Sequence, residues 1–369
     1  MDYHYYPVLR IQRGECDAIS KLPIDVAGGV NPIWEIPPIP KLSRKDGGGD
    51  KYSVEEHIRL CLEKLIPAMS GDRVLRLDAI MFDQYIVTED GEELHSLDCI
   101  AALAKEANIN FVPVVTLESS RDYIEAANRH SGHGICLRLD VSNLNSDAIV
   151  EACEELYECI STVFEDTDLL LDIKTVSFEN KGALKERLVL ALMQLNGLTA
   201  WRSLSMASTS YLASMSGIEK DKVITRPMLE FELWKELMRI AGLPRLPAYG
   251  DYALAPAELD YSTPVEFMNP AATIRYSDEN HWIFVKGEQV KGKGGIKGPG
   301  WGQTQRLCQI LVESPFYKQY GPEFSPGDRY IADRATNDVR CGAGFTWKDV
   351  GINHHASVIA RYLSNLNAL

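Results

Sequence analysis

The chain repeats one pattern along most of its length: a short run of apolar, β-favouring residues, then a longer stretch with helical apolar spacing. Strand side chains alternate faces with period two, whereas helix side chains return every 3.6 residues. Regular switching between the two periods implies strand–helix–strand crossovers and a parallel sheet. Eight strand candidates can be read, at 6–10, 32–36, 74–80, 111–117, 134–141, 168–176, 201–207 and 245–253. Helical stretches fall around 15–22, 96–107, 120–130, 146–164 and 181–195, and Pro227 and Gly242 bracket another. Ser53 and Glu56 form a capping box ahead of the stripe Val54, Ile58, Leu60, Cys61 and Leu65. Pro37 and Pro38 bar an immediate helix after the second strand, and a polar loop over 44–51 follows instead.

Eight parallel strands predict an α/β fold in which residues 1–255 close into an eight-stranded β/α (TIM-like) barrel, a size of roughly 250 residues being typical. The rival is a doubly wound open sheet. A Gly-rich dinucleotide fingerprint after the first strand would favour it, and none is present. From about residue 270 the texture changes. Runs at 272–277 and 281–286 flank the turn residues Asp278, Glu279 and Asn280, which predicts a β-hairpin. A Gly/Lys-rich loop over 287–302, a helix over 304–313, an irregular Pro/Gly segment and a last helix over 355–366 complete the chain. Residues 256–369 are therefore expected to form a C-terminal extension packed on the barrel.

Charge narrows the function. The net charge is −14, and the excess is all in residues 1–270, where 26 Lys and Arg face 43 Asp and Glu; residues 271–369 hold 12 against 9. An acidic barrel makes nucleic acid an unlikely partner, since phosphate binding needs a basic face. The opening residues lack the basic and apolar regions of a signal peptide, and no apolar run reaches membrane-spanning length. The eight cysteines are scattered without a CxxC pair. Buried free thiols in a cytoplasmic protein are expected, not disulfides or a zinc site.

The strongest functional signal is charge repeated inside apolar strands: LRLD at 75–78, LRLD at 137–140 and LDIK at 171–174. Alternation puts Arg76 with Asp78, Arg138 with Asp140, and Asp172 with Lys174 on one face each. Arg10, Glu35 and Glu118 occupy comparable late positions in their own strands. Barrel enzymes place their sites at the C-terminal strand ends. On that reading Glu35, Asp78, Asp140, Asp172 and Lys174 are the candidate catalytic residues. Arg10, Arg76, Arg138 and Glu118 are candidate ligand-binding residues, joined by Tyr249 and Asp251 on the last strand. The acids would act as general acid and base, with or without a divalent metal, and the arginines would hold an anionic small molecule. No residue set is assigned as metal ligands. The competing reading is a buried ion-pair network that only closes the barrel.

Other motifs are weaker. GEQVKGKG at 287–294 resembles a phosphate-cradling loop but lacks the Ser/Thr for magnesium, and no helix follows. As a basic loop it can cover an anionic ligand or act as a mobile linker. His354 and His355 are read as a helix cap or surface residues, since no metal-site spacing accompanies them. Trp282, Trp301 and Trp347 are expected as core or interface anchors, base stacking being the alternative.

Four segments carry a family resemblance: YPVLR at 6–10, RGECDA at 13–18, NPIWEIP at 31–37 and GINHH at 351–355. Together they resemble the Beta protein family of phages and bacterial mobile elements. The resemblance implies a place in a satellite-phage type of operon, in which a killing protein is restrained by its neighbours in antiviral defence. It thus implies a toxin–antitoxin or defence role and a protein partner from the same operon. It carries over no catalytic residues. Two functions are open at this point: a barrel that recognises a partner or anionic ligand, and a barrel enzyme acting on a phosphorylated nucleotide or sugar.

Overall fold

The computed structural model describes residues 4–42, 48–69, 73–87, 91–195, 197–259, 261, 268–292 and 297–367. Seven strands form one parallel sheet: β1 (Val8–Arg10), β2 (Ile33–Glu35), β3 (Val74–Asp78), β6 (Asn110–Val115), β7 (Ile135–Asp140), β8 (Thr167–Thr175) and β9 (Ser203–Thr209), hydrogen-bonded in that order. An antiparallel pair, β4 (Tyr85–Val87) and β5 (Glu93–His95), interrupts the alternation after β3. Helices α1 (Arg13–Ser20), α2 (Ile24–Ala27), α3 (Val54–Leu65), α4 (Ser96–Glu106), α5 (Arg121–Arg129), α6 (Ser146–Glu158) and α7 (Lys181–Gln194) supply the crossovers. Their starts follow local chemistry: the side chains of Ser53, Ser120 and Asn145 accept from the amides of Glu56, Tyr123 and Ala148. Half of the polar loop expected over 44–51, residues 44–47, lies outside the described residues.

The eighth strand expected over 245–253 is not a regular strand. It makes isolated parallel bridges to β9, pairing Ala248 with Ser205 and Asp251 with Ser208. On its other side the Tyr6 amide donates to the Tyr249 carbonyl at 2.9 Å, and the Val8 amide to that of Asp251 at 2.7 Å. The seven-stranded sheet is therefore a nearly closed barrel with this segment between its edges. Inside, Val8, Ile33, Val112, Val114, Cys136, Leu170 and Ala207 form a small apolar core distinct from the larger one under the helices.

A second sheet of order β10-β12-β11 combines the expected hairpin, β11 (Ala271–Ser277) and β12 (His281–Gln289), with β10 (Val223–Pro227). Pro227 thus ends a strand, and the next helix, α8 (Leu229–Leu237), begins beyond it. Alternation gives this sheet two faces. Trp282 and Phe284 join the main core, whereas Ile274, Tyr276, Ile283 and Val285 pack with residues of α9 (Thr304–Val312), α10 (Pro315–Tyr320) and α11 (Pro326–Thr336). Seven of the eight cysteines are buried or half-buried and all are free; Cys159 is exposed.

The last helix is longer than expected: α12 spans Gly344–Asn367, 24 residues, and His354 and His355 lie inside it, fully buried. Adjacent helical residues point about 100° apart, and these two face different layers. The His354 ring bridges Asp328 at 2.8 Å and the Ser277 carbonyl at 2.8 Å. His355 bridges Asp251 at 2.9 Å and the Ser277 hydroxyl at 2.9 Å. Neither is a cap or a surface residue. Gly351 permits the close approach, because a Cβ there would meet Leu254 Cδ1 at 2.3 Å and the Arg275 carbonyl oxygen at 2.9 Å. Trp282 and Trp347 are buried core anchors, so base stacking by them is excluded.

Candidate functional site

The C-terminal ends of the barrel strands surround a cavity of about 560 Å³. Eight of the eleven residues singled out by strand-end position line it: Arg10, Glu35, Asp78, Glu118, Arg138, Asp140, Asp172 and Lys174. They arrive from β1, β2, β3, β7 and β8 and the segment after β6. Parallel register explains the convergence: Arg10 pairs with Glu35, Glu35 with Asp78, and Asp140 with Asp172 across successive strands.

Arg138 is the hub of the floor. Its guanidinium donates to Glu35 at 2.7 Å, Asp78 at 2.8 Å and Asp172 at 2.7 and 2.9 Å. Arg10 faces Glu35 at 3.3 Å and donates to the Ala257 carbonyl at 2.8 Å. Asp172, fully buried, also receives Lys174 Nζ at 2.9 Å and the Tyr252 hydroxyl at 2.7 Å. Lys174 reaches it because its backbone is left-handed, with φ of 61°, where the pairing of β8 with β9 shifts register. A non-glycine residue seldom adopts that conformation, and such strain tends to sit at working sites.

The floor carboxylates are pushed in opposite directions. Burial raises Asp78 above the usual carboxylate value and Glu35 adds to the rise, with Arg138 opposing both. Burial would also raise Asp172, but Arg138, Lys174 and the Tyr252 hydroxyl outweigh it and hold that carboxyl low. Two acids tuned apart around one cation is the arrangement that proton-transfer sites use. The floor is balanced, with Arg10, Arg138 and Lys174 against Glu35, Asp78 and Asp172. Glu118, Asp140 and Glu258 then line the cavity as exposed acids, so the lining as a whole is acidic. Among the described residues no group of three or more His, Cys, Asp or Glu is placed to hold a metal ion. Arg138 occupies the position between carboxylates that a cation would take.

Three expected residues are elsewhere. Arg76 shares a face with Asp78 but lies two residues deeper, where it donates to Asp168 at 2.6 Å. Asp168 also receives Arg202 at 2.7 Å and the Ser203 hydroxyl at 2.6 Å, which makes a second ionic layer near the opposite end of the barrel. Tyr249 and Asp251 are fully buried behind the barrel wall. Asp251 accepts from the hydroxyls of Tyr5 and Tyr249 and contacts His355. Ser277, His355 and Asp251 form a hydroxyl–imidazole–carboxylate chain, but all three are fully buried and none lines the mouth. This chain ties α12 to both sheets.

Sequence reasoning missed Tyr252, whose hydroxyl sits between Arg138 and Asp172, and Asp168, Arg202 and Glu258. The segment holding Tyr252 has no regular strand alternation to flag it. β12 absorbs the start of the Gly/Lys-rich loop, residues 293–296 lie outside the described residues, and none of the loop's described residues lines the mouth. Among the described residues no helix is long and apolar enough to cross a membrane.

Comparison with protein families gives one result that spans the chain: the model of the family described as Beta protein matches residues 5–361. Comparison with curated proteins finds no match. The matched region contains Arg10 and Glu35 of the floor and His354 and His355 of α12, which lie in three of the four segments that carried the resemblance.

Proposed function

This chain belongs to the Beta protein family, and from that premise we propose that it is the recognition component of a bacterial or phage-encoded antiviral-defence or toxin–antitoxin system, with its barrel mouth as the working site. The observation that carries this reading is the convergence of nine charged side chains from separate strands and loops on one open cavity. The charge of that cavity favours a particular ligand. Each floor cation already contacts a carboxylate, and the three further acids are exposed. A bare anion would have to displace a carboxylate and face an acidic lining. A lysine, arginine or other donor-rich group of a protein partner from the same operon would meet acceptors instead.

We read residues 248–251 as the eighth stave of a TIM-like barrel, residues 1–255 as the barrel unit and 256–369 as a layer that buttresses it. The free cysteines support a cytoplasmic location. Co-expression with the products of neighbouring genes tests the partner reading. A stable complex or relief of toxicity, weakened when Glu118 and Asp140 are both neutralised, is the expected outcome. Independent behaviour in both assays would refute it.

One observation favours a second reading, an enzyme acting on a phosphorylated nucleotide or sugar: two neighbouring floor carboxyls are shifted in opposite directions, Asp78 up by burial and Asp172 down by Arg138 and Lys174. An Asp78→Asn protein that stays folded and retains full turnover on every such substrate accepted by the parent would remove it.

A further inference from the structure

A second cavity, of about 320 Å³, lies on the other side of the 254–259 segment from the barrel mouth. Its lining differs in kind. It contains Arg275 and Lys348, the aromatic residues Tyr211 and Trp301, and Ser214, and among the described residues no Asp or Glu lines it. Lys348 is neutralised by Glu15, which does not line the cavity. Arg275 is different: it makes no ion pair among the described residues, although it is only half exposed. It sits on β11, on the sheet face opposite Ile274 and Tyr276, which pack into the outer core. A guanidinium held between two layers without a carboxylate is poorly compensated unless a ligand completes it.

The groups around Arg275 suit an anion. The Tyr211 hydroxyl is buried, and the Arg275 side chain lies within reach of it as a donor, though outside ordinary hydrogen-bond geometry. Arg275 is the charged group next to it. The Tyr211 ring is fixed edge-on to Trp282 and Phe284, with centroids 5.2 and 5.5 Å away, so the hydroxyl cannot swing out to solvent without breaking core contacts. Trp301, which also lines the cavity, is partly exposed, and Gly344 stands against its ring, 3.5 Å from it to the position of a Cβ.

We propose that this second cavity is a binding site for a small organic anion that carries a flat ring, of the size and chemistry of a nucleoside monophosphate. Arg275 and the Tyr211 hydroxyl take the anionic group, for which a planar guanidinium is suited to paired contacts. Trp301 takes the ring by stacking. The volume matches a ligand of that size, near the lower end of small-molecule pockets. The site is separate from the mouth, and its chemistry is the reverse: cationic and aromatic where the mouth is acidic.

Titration calorimetry of the full chain with adenosine 5′-monophosphate, adenosine and inorganic phosphate tests this. Saturable binding of the monophosphate is expected, tighter than either fragment. Arg275→Gln should weaken it at least about tenfold, and a loss of one charge-assisted contact is of that order. Trp301→Leu, at a partly exposed position, should weaken the monophosphate while leaving inorganic phosphate unchanged, which keeps the test valid if Arg275→Gln fails to fold. Absence of saturable binding at millimolar probe would overturn the proposal. So would binding that both variants leave intact, binding lost on Glu118→Gln in the barrel mouth, or equal affinity for phosphate and the monophosphate.

Discussion

Replacing Arg138 with methionine removes the one guanidinium that touches all three floor carboxylates while keeping most of the aliphatic volume. Asp172 would retain Lys174, and Glu35 would retain Arg10. Asp78 would keep only the Ile80 amide, at 3.1 Å, and no cation. One buried carboxylate is then uncompensated, and breaking a buried pair in this way costs about 3–5 kcal/mol. The pH dependence has a definite sign. Burial already raises Asp78 above its unfolded value, and loss of Arg138 raises it further. The folded variant therefore holds a proton that the unfolded chain releases, so the deficit is small at low pH and grows as pH rises toward the folded value. Its slope is at most about 1.4 kcal/mol per pH unit. Asp172 loses Arg138 as well, the largest of the groups that hold it low, but keeps Lys174 and the Tyr252 hydroxyl. Urea unfolding followed by circular dichroism at about pH 5 and about pH 8 would measure both quantities. A loss below about 1 kcal/mol at the higher pH, or an equal loss at both, would refute the hub reasoning.

Other expectations follow from the same contacts. Asp140→Asn and Glu118→Gln, at exposed positions, should change stability by no more than about 0.5 kcal/mol, whereas Asp172→Asn should lose about 3–5 kcal/mol; urea midpoints would separate them. Equal effects would mean that floor and rim are not distinct layers. Glu230 is fully buried, and burial raises it to about 8 despite hydrogen bonds from Ser210 and Trp282. Its folded value lies above its unfolded one, so stability should fall as pH rises between the ordinary glutamate range and about 8. Glu230→Gln should flatten that decline, and an unchanged profile from pH-dependent unfolding would count against it. His355→Ala leaves Asp251 buried without its imidazole, and a loss of about 3–5 kcal/mol is expected in the same unfolding assay. A loss under about 1 kcal/mol would show that the pair does not hold α12 in place.

The strand-end charges were legible because period-two alternation and late strand position both follow from local sequence. Alternation fixes a face but not a depth, and this is why Arg76 seemed to belong with Asp78. Only the register with neighbouring strands reveals that it meets Asp168 one layer down. Tyr252 was not legible, because it reaches Asp172 from a segment held by isolated bridges and a left-handed residue, Ala253 with φ of 49°. The length of α12 was hidden for another reason. The expected helix began at 355, whereas α12 runs on back through Gly351, which is set by how closely the helix must approach Leu254 and Arg275. That constraint is tertiary, and no local propensity carries it. β10 was missed because Pro227 is as acceptable at the end of an edge strand as at a helix start.

The two adjacent histidines of α12 act as a phase lock between parts of the chain far apart in sequence. A helix rotates by about 100° per residue. Inserting or deleting one residue before His354 would therefore swing both rings off their acceptors at once. Asp328 and Asp251, each buried, would be left with no imidazole together. A slide or twist of α12 by a whole residue would break both contacts together. The barrel mouth thus opens on a scaffold whose back is set in a single register.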